Sequence, residues 1–370
     1  MSAPEPVALP NPPNDGITSL QYIENNNSSS QQLLASTSWD GALRLHDTST
    51  KTHVLTHVME CGPLLSMTSS PTSSQVFTGG IDGSIRQFDI ATSTASLIGM
   101  HGATSCNDEN KKIACSALSA ISNNPSLIAS AGWDAKFHLW DVRSSSTSSQ
   151  HQPVITLDLP GKAFGMDTST DGSKIVVATS GRKNCFIDVR SSSSTMISNK
   201  ENSEQTEPPI AKMILQRDSS LKYQTRCIKF FPSTQGIAIG SIEGRVAIEY
   251  LTDIGISNPE NKKKYAFKCH RVNDVIYPVN DIAFHPTYGT FATGGADGTV
   301  VTWDGNSKKK LASVAKLPTS IACLAFNRDG TELAMASSYT FEEGERDHPR
   351  EEIYVREVLE TEVRPKNVAK

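Results

Sequence analysis

A seven-bladed, all-β propeller is the fold predicted by this chain of 370 residues. Three observations predict it. A short motif ending in an aromatic or aliphatic residue plus Asp recurs along the chain. Gly-containing turns open several of its copies. Two apolar runs of strand length accompany each copy.

Four copies of the motif are clear: Ser38–Asp47, Gly80–Asp89, Gly132–Asp141 and Gly295–Asp304. In each, seven positions separate the first Asp from the last (40 to 47, 82 to 89, 134 to 141, 297 to 304). Weaker copies run from Gly181 to Asp188 and from Glu243 to Tyr250. The Asp-Gly and Glu-Gly pairs supply the positive φ of a tight hairpin. A period near 40–45 residues with a Trp-Asp end reads as WD repeats, four strands to a blade. Longer intervals hold Ser-rich stretches at 144–152 and 191–208, expected as solvated loops.

Inner strands are expected at Leu64–Thr68, Ile113–Leu118, Cys227–Phe231, Asn280–Phe284 and Ile321–Phe326. Second strands are expected at Leu33–Thr37, Val76–Gly79, Ile128–Ala131, Ile175–Thr179, Ile237–Gly240, Thr290–Thr293 and Leu333–Ala336, which makes seven blades. The seventh pairs Leu333–Ser338 with Ile353–Val358 and lacks a fourth strand in its own stretch of chain. Val7–Leu9 is expected to supply it, closing the ring and covering two sheet edges. The chain thus reads as one propeller domain over 1–370, with 1–16 as closing strand and arm and 359–370 as tail.

Composition narrows the function. The formal net charge is −4, so nothing global demands nucleic acid or a membrane. Met1–Asn14 is Pro-rich and polar, unlike a secretory leader. No apolar run approaches the roughly 20 residues that span a bilayer. The seven cysteines are scattered without a CxxC pair, which fits buried thiols and argues against disulfides or a metal site. No GxGxxG, GxSxG or HExxH occurs, and Cys269-His270 are neighbours that point to opposite faces of a strand. No cofactor is expected and an enzyme is disfavoured, although a spatial triad escapes such a search.

Three features suggest binding. Trp39 and Trp133 hold the same position in the turn between second and third strands, on the narrow top face, where an exposed Trp is an anchor candidate. Packing on a neighbouring turn is the competing reading. Trp140 and Trp303 precede the terminal Asp and read as core. Residues 217–271 carry ten Lys/Arg against five Asp/Glu, a local +5. Arg226 and Arg245 are placed near the channel mouth, suited to carboxylate or phosphate, whereas Lys262–Lys264 alone reads as a solvated face. Finally, Trp140-Asp-Val-Arg143, echoed by Ile187-Asp-Val-Arg190, resembles the box by which some WD-repeat receptors dock on the cullin-four ligase adaptor.

Blade five is distinctive. Ser220-Leu-Lys-Tyr-Gln-Thr-Arg-Cys227, Ser241–Tyr250 and Lys264-Tyr-Ala-Phe-Lys-Cys-His-Arg271 resemble the Bub-three family of spindle-checkpoint proteins. Tyr277–Asn280, Phe291–Gly295, Ser337-Ser-Tyr339, Pro12-Pro13 and Asp15-Gly16 extend the resemblance over nearly the whole chain. The sister Rae-one family of mRNA-export factors shares several of these strings but usually has His at Thr225 and Glu249. The Ser-rich stretches and the turn at Gly181-Arg-Lys depart from both.

The resemblance implies an adaptor that acts in the nucleus and at mitotic kinetochores, with some of it in the cytoplasm. By position, Trp39, Trp133 and Arg226 match the family's contacts to a short segment of Bub-type checkpoint kinases and their relatives. Arg245 and Lys268 match residues implicated in holding phosphothreonine of Met-Glu-Leu-Thr repeats in the kinetochore scaffold. The mitotic checkpoint complex is a further implied partner, and a monomer bound to partner peptide is expected. The alternatives are an mRNA-export factor that binds a nucleoporin segment, and a ligase receptor that uses Arg143.

Overall fold

The computed structural model describes residues 4–23, 32–72, 74–102, 112–143, 152–189, 211–258 and 261–366. The expected loops at 144–152 and 191–208 lie outside these, apart from Gln152; so do Cys106 and Arg190. Among the described residues are seven four-stranded antiparallel sheets, one two-stranded hairpin and one four-residue helix, Glu360–Val363. No helix among them is long and apolar enough to cross a membrane.

Blade one comprises Ile17–Ile23, Leu33–Ser38, Ala42–Asp47 and Thr52–Val58, from the channel outward. Blades two, three and four occupy 64–100, 115–158 and 163–218. Blade five is Thr225–Phe230, Gly236–Ser241, Arg245–Tyr250 and Tyr265–Lys268; blade six is Val279–Phe284, Phe291–Gly295, Thr299–Asp304 and Lys309–Lys316. The innermost strand of each blade packs beside those of both neighbours, and blade seven's meets blade one's, so the ring is closed.

Burial follows the layer. The two middle strands of blade one are buried at every residue, because neighbouring blades cover both faces. Its outer strand alternates exposed and half-buried positions, as a strand with one wet face should. The motif's two aspartates brace turns at opposite ends of the third strand. Asp134 Oδ1 accepts the Lys136 amide at 3.0 Å, and Asp304 Oδ1 accepts the Asn306 amide at 2.9 Å. The expected inner strand of blade three begins later than read, at Cys115, and runs to Ala120. In blade four the altered turn is a 3₁₀ turn, with positive φ at Gly181 (71°) and Arg182 (63°).

Blade seven takes its fourth strand from the other end of the chain, as expected. Val7–Ala8 pairs with Glu352–Glu357, Val7 opposite Val355, and the Leu9 amide donates to the Ile353 carbonyl at 2.8 Å. Leu9 is buried with Ile17, Leu34, Ile353 and Val355 in one cluster that joins blades seven and one. The arm is tied at several further points. Arg356 donates to the Pro4 carbonyl at 2.7 Å, His46 Nε2 lies 2.8 Å from the Pro10 carbonyl, and the Asn14 amide donates to Asp40 at 3.0 Å.

Candidate peptide-binding face

Every blade has the same irregularity near the start of its inner strand. The register against the second strand shifts between Ile17 and Ser19, and at the equivalent point in the other six. A bulge of this kind re-aims the extra side chain. The seven bulged residues are Thr18, Leu65, Ser116, Phe164, Arg226, Asn280 and Ala322, and six of them line a cavity of about 680 Å³ at the top mouth of the channel. Arg226 is the only charged member of the ring.

Trp39 lines the same cavity, so the structure brings two of the expected site residues together. Arg226 is held there by Asn280, whose Oδ1 accepts its Nη2 at 3.1 Å, while Asn280 Nδ2 donates to the Ile321 carbonyl at 3.0 Å. No carboxylate pairs with Arg226 among the described residues. Trp39 is 42% exposed and Trp133 36%, against 2% for Trp140. Trp133 stands on the blade-three turn, outside the cavity lining, with Lys162 Nζ 6.0 Å from its ring. Trp140 is core as expected, and Trp303 is half-buried among Phe267 and Phe291.

Arg245 and Lys268 form a second group on the top of blade five, as directly opposed residues of its two outer strands. Arg271 joins them by donating to the Glu243 carbonyl at 2.9 Å. One carboxylate serves this group: Glu243 Oε2 lies 3.5 Å from Arg245 Nε, and its Oε1 accepts the Lys222 amide at 3.1 Å. The turn needs Gly244, at φ 58°, because a Cβ there would lie 2.9 Å from the Cys269 carbonyl. Among the described residues in contact here, three cations against one carboxylate leave the corner with net positive charge.

Two features of this face were missed in the sequence. The hairpin Arg271–Val272 with Val275–Ile276 exposes both valines and Ile276 beside the cationic corner. Its turn, Asn273-Asp274, has both φ positive, a type I′ signature that was legible. Phe341, 62% exposed at the channel mouth, holds φ at 58°, an uncommon state for a bulky residue. Arg143 lies at the other end of blade three and folds back on Asp141, with Nη2 to Oδ2 at 2.6 Å.

Two polar relays recur, one in blade three and one in blade six. His101 Nδ1 lies 3.0 Å from Asp134, its Nε2 2.8 Å from Ser130 Oγ, and Trp140 Nε1 donates to the same Oγ at 2.8 Å. His270, Asp297, Thr293 and Trp303 repeat the pattern in blade six. The first resembles a hydrolytic triad. However, Ser130 is fully buried, and its oxygen already accepts the indole N–H, so no acyl group can reach it. His138 completes a possible metal-ligand group with His101 and Asp134, but both His101 nitrogens are engaged and His138 Nδ1 lies 2.9 Å from Thr156 Oγ1. These relays brace blades. The six described cysteines are free and buried, and burial pushes the Cys269 thiol up to about 12.

The recurring turn aspartates and the closed array of blades define a WD-repeat propeller, a class of binding scaffold. Residues 7–47, 49–89, 105–141 and 261–304 match the family "WD domain, G-beta repeat". The chain is 41% identical over 362 residues to the mitotic checkpoint protein BUB3.1 of Arabidopsis thaliana, covering 97% of this chain and 94% of that protein. It is 37% identical over 356 residues to the mitotic checkpoint protein bub3 of Dictyostelium discoideum, covering 95% and 94%. A poly(A)+ RNA export protein of Schizosaccharomyces pombe is 31% identical over 345 residues, covering 91% and 85%. The chain belongs to the Bub3 family of mitotic checkpoint WD-repeat proteins.

Proposed function

We propose that this protein is a spindle-checkpoint adaptor with two peptide sites on its top face. The top face holds a segment of a Bub-type checkpoint kinase or a relative, through Trp39 and Arg226 at the channel mouth and Trp133 on the blade-three turn beyond it. The blade-five corner takes a phosphothreonine motif of the kinetochore scaffold through Arg245 and Lys268. The adaptor then brings the kinase to phosphorylated scaffold at mitotic kinetochores, within an otherwise nuclear distribution, and can enter the mitotic checkpoint complex. The carrying observation is the corner itself, where Arg245, Lys268 and Arg271 surround one glutamate. A phosphate brings about −1.5 to −2 charges and several strong acceptors, so phosphorylation would switch this site on.

A second reading, mRNA export through a nucleoporin segment, is favoured by the 31% likeness to a poly(A)+ RNA export protein. The positions that separate the two families do not decide it by contact. Thr225 is buried, and Glu249 is 2% exposed, accepting the Ser220 amide at 3.0 Å and pairing with Arg217 at 2.8 Å. The ligase reading rests on Arg143, whose guanidinium braces its own turn.

The test is a titration of the protein with the kinase segment and the nucleoporin segment from the same organism, wild type beside Trp133→Ala. Trp-dependent binding of the kinase segment alone is expected. Preference for the nucleoporin segment would overturn the checkpoint reading.

A further inference from the structure

Blades five and six meet over a run of aromatic rings. Tyr250, Phe231, Phe284 and Phe291 follow one another at centroid distances of 5.8, 5.4 and 5.3 Å. All but Phe291 are half-buried, and on the lower face these four and Tyr288 border a groove of about 380 Å³ between blades five and six. That volume accommodates a large side chain, and the rim adds Gln235, Ser233 and Asn306 as polar partners. The groove follows the far ends of the inner strands, so it lies opposite the Trp39–Arg226 mouth.

Two lysine runs flank it. Lys262–Lys264 precedes the outer strand of blade five, and Lys308–Lys310 begins that of blade six. Specific contacts hold the runs together. Lys262 Nζ donates to Asn306 Oδ1 at 2.9 Å, the Tyr265 hydroxyl donates to the Gly305 carbonyl at 2.5 Å, and Lys308 Nζ sits 4.7 Å from the Tyr265 ring. Lys263, Lys264 and Lys308–Lys310 are exposed. Among the described residues, two neighbouring acids are already engaged: Asp304 is buried and braces its turn, and Glu360 bonds Tyr288 and Arg364. On its own, Lys262–Lys264 is a solvated run; with the second run and the groove it becomes one side of a site.

We propose that this lower groove docks an acidic peptide segment of a partner protein, with one aromatic or large aliphatic residue seated between Phe231, Phe284 and Tyr288 and flanking carboxylates on the lysines. Charge complementarity selects the acidic class, and a discrete aromatic-lined pocket selects an anchored peptide over a strand that needs a continuous cationic track. The site is independent of the top face, so both ends of the propeller can be occupied at once.

The probe is a fluorescein-labelled, Glu/Asp-rich peptide with one central Phe, followed by fluorescence anisotropy on the full chain. Binding is expected to weaken at least about tenfold when that Phe is Ala, when Lys263 and Lys309 are both changed to Glu, or when exposed Thr287 is changed to Trp to fill the groove. Melting temperature and top-face peptide binding report that these surface variants fold. Binding indifferent to the Phe, binding unaffected by Thr287→Trp, no binding at all, or tighter binding of oligouridylate than of the peptide would each overturn the proposal.

Discussion

Arg245 and Lys268 face each other as Cα partners on adjacent antiparallel strands of blade five. Like charges in that relationship are unfavourable by roughly 0.2–1 kcal/mol, and Glu243, 3.5 Å from Arg245, offsets only part of it. If this pair, unfavourable in the sheet, holds the phosphate as proposed, opposite effects on stability and binding follow. Lys268→Thr should leave the urea midpoint unchanged or slightly higher. The same change should weaken binding of a phosphothreonine peptide about tenfold or more, through one lost charge-assisted hydrogen bond. A stability loss above about 1 kcal/mol would mean that Lys268 serves the fold instead.

The tryptophans divide by exposure. Trp39→Ala and Trp133→Ala should cost about 1 kcal/mol of stability or less, while kinase-segment affinity falls by about 2 kcal/mol or more. Trp140→Ala should cost about 3–5 kcal/mol, because it opens a core cavity and leaves Ser130 without its indole donor. Gly99 lies against that ring so closely that a Cβ would sit 2.1 Å from Trp140 Cζ3, and Gly99→Ala should therefore destabilise as well. Chemical denaturation and peptide titration on the same four variants test the division. Equal stability losses at Trp39 and Trp140 would contradict it.

The blades were legible because each motif carries its own turn chemistry. Asp40, Asp82, Asp134 and Asp297 each accept the amide two residues on, a local bond visible as spacing. Closure by Val7–Leu9 was legible because blade seven lacked a strand and an unassigned apolar run remained. The bulged ring was not legible, since a bulge is a relation between two strands and Arg226 alone does not reveal it. The relays were hidden for a similar reason: His101 and His270 stand 33 and 27 positions before their aspartates. The joining of Lys262–Lys264 to Lys308–Lys310 arises only when blades five and six pack.

Closure makes a prediction at Arg356. Its fully buried guanidinium donates to both carboxylate oxygens of Glu362, at 2.9 and 2.7 Å, and to the Pro4 carbonyl, so both chain ends meet on one side chain. Thr290 and Thr302 hold the same helical turn by donating to the Val363 and Glu362 carbonyls. Glu362→Ala should cost about 3–5 kcal/mol because it strands a buried charge, whereas Arg356→Met with Glu362→Met should cost less than the two single changes combined. A chain beginning at residue 12, which lacks the closing strand and exposes the edge at Glu352–Glu357, should be less stable than the full chain. Urea midpoints of the full chain, Glu362→Ala, the two Met single changes, their double variant and the shortened chain provide the comparison, and an unchanged midpoint for the shortened chain would show that the arm is dispensable.

Acid sensitivity should trace in part to His138. Burial, then the neighbouring His101, lowers its pKa from 6.5 to about 4. A histidine depressed in the folded state is protonated more readily in the unfolded chain, so its contribution is intact above pH 6.5 and is lost as pH falls toward 4. Burial depresses His46 and His285 in the same direction. Desolvation raises the carboxyls of half-buried Asp167 and Asp281 and of buried Glu351, and these oppose the trend, because their folded forms bind protons more readily. Asp40 acts lower still. Burial works against its ionisation, but hydrogen bonds from Arg44, Ser38 and the Asn14 amide outweigh that and hold it at about 2, so its contribution fades only between about 3.8 and 2. The wild-type slope is therefore a net quantity, and His138→Asn isolates one part of it. Between pH 7 and pH 4.5 the variant should lose less stability than wild type, by up to about 2 kcal/mol, whatever constant offset the substitution adds. Urea denaturation at the two pH values measures the difference, and parallel slopes for the two proteins would show that His138 is not held neutral by its surroundings.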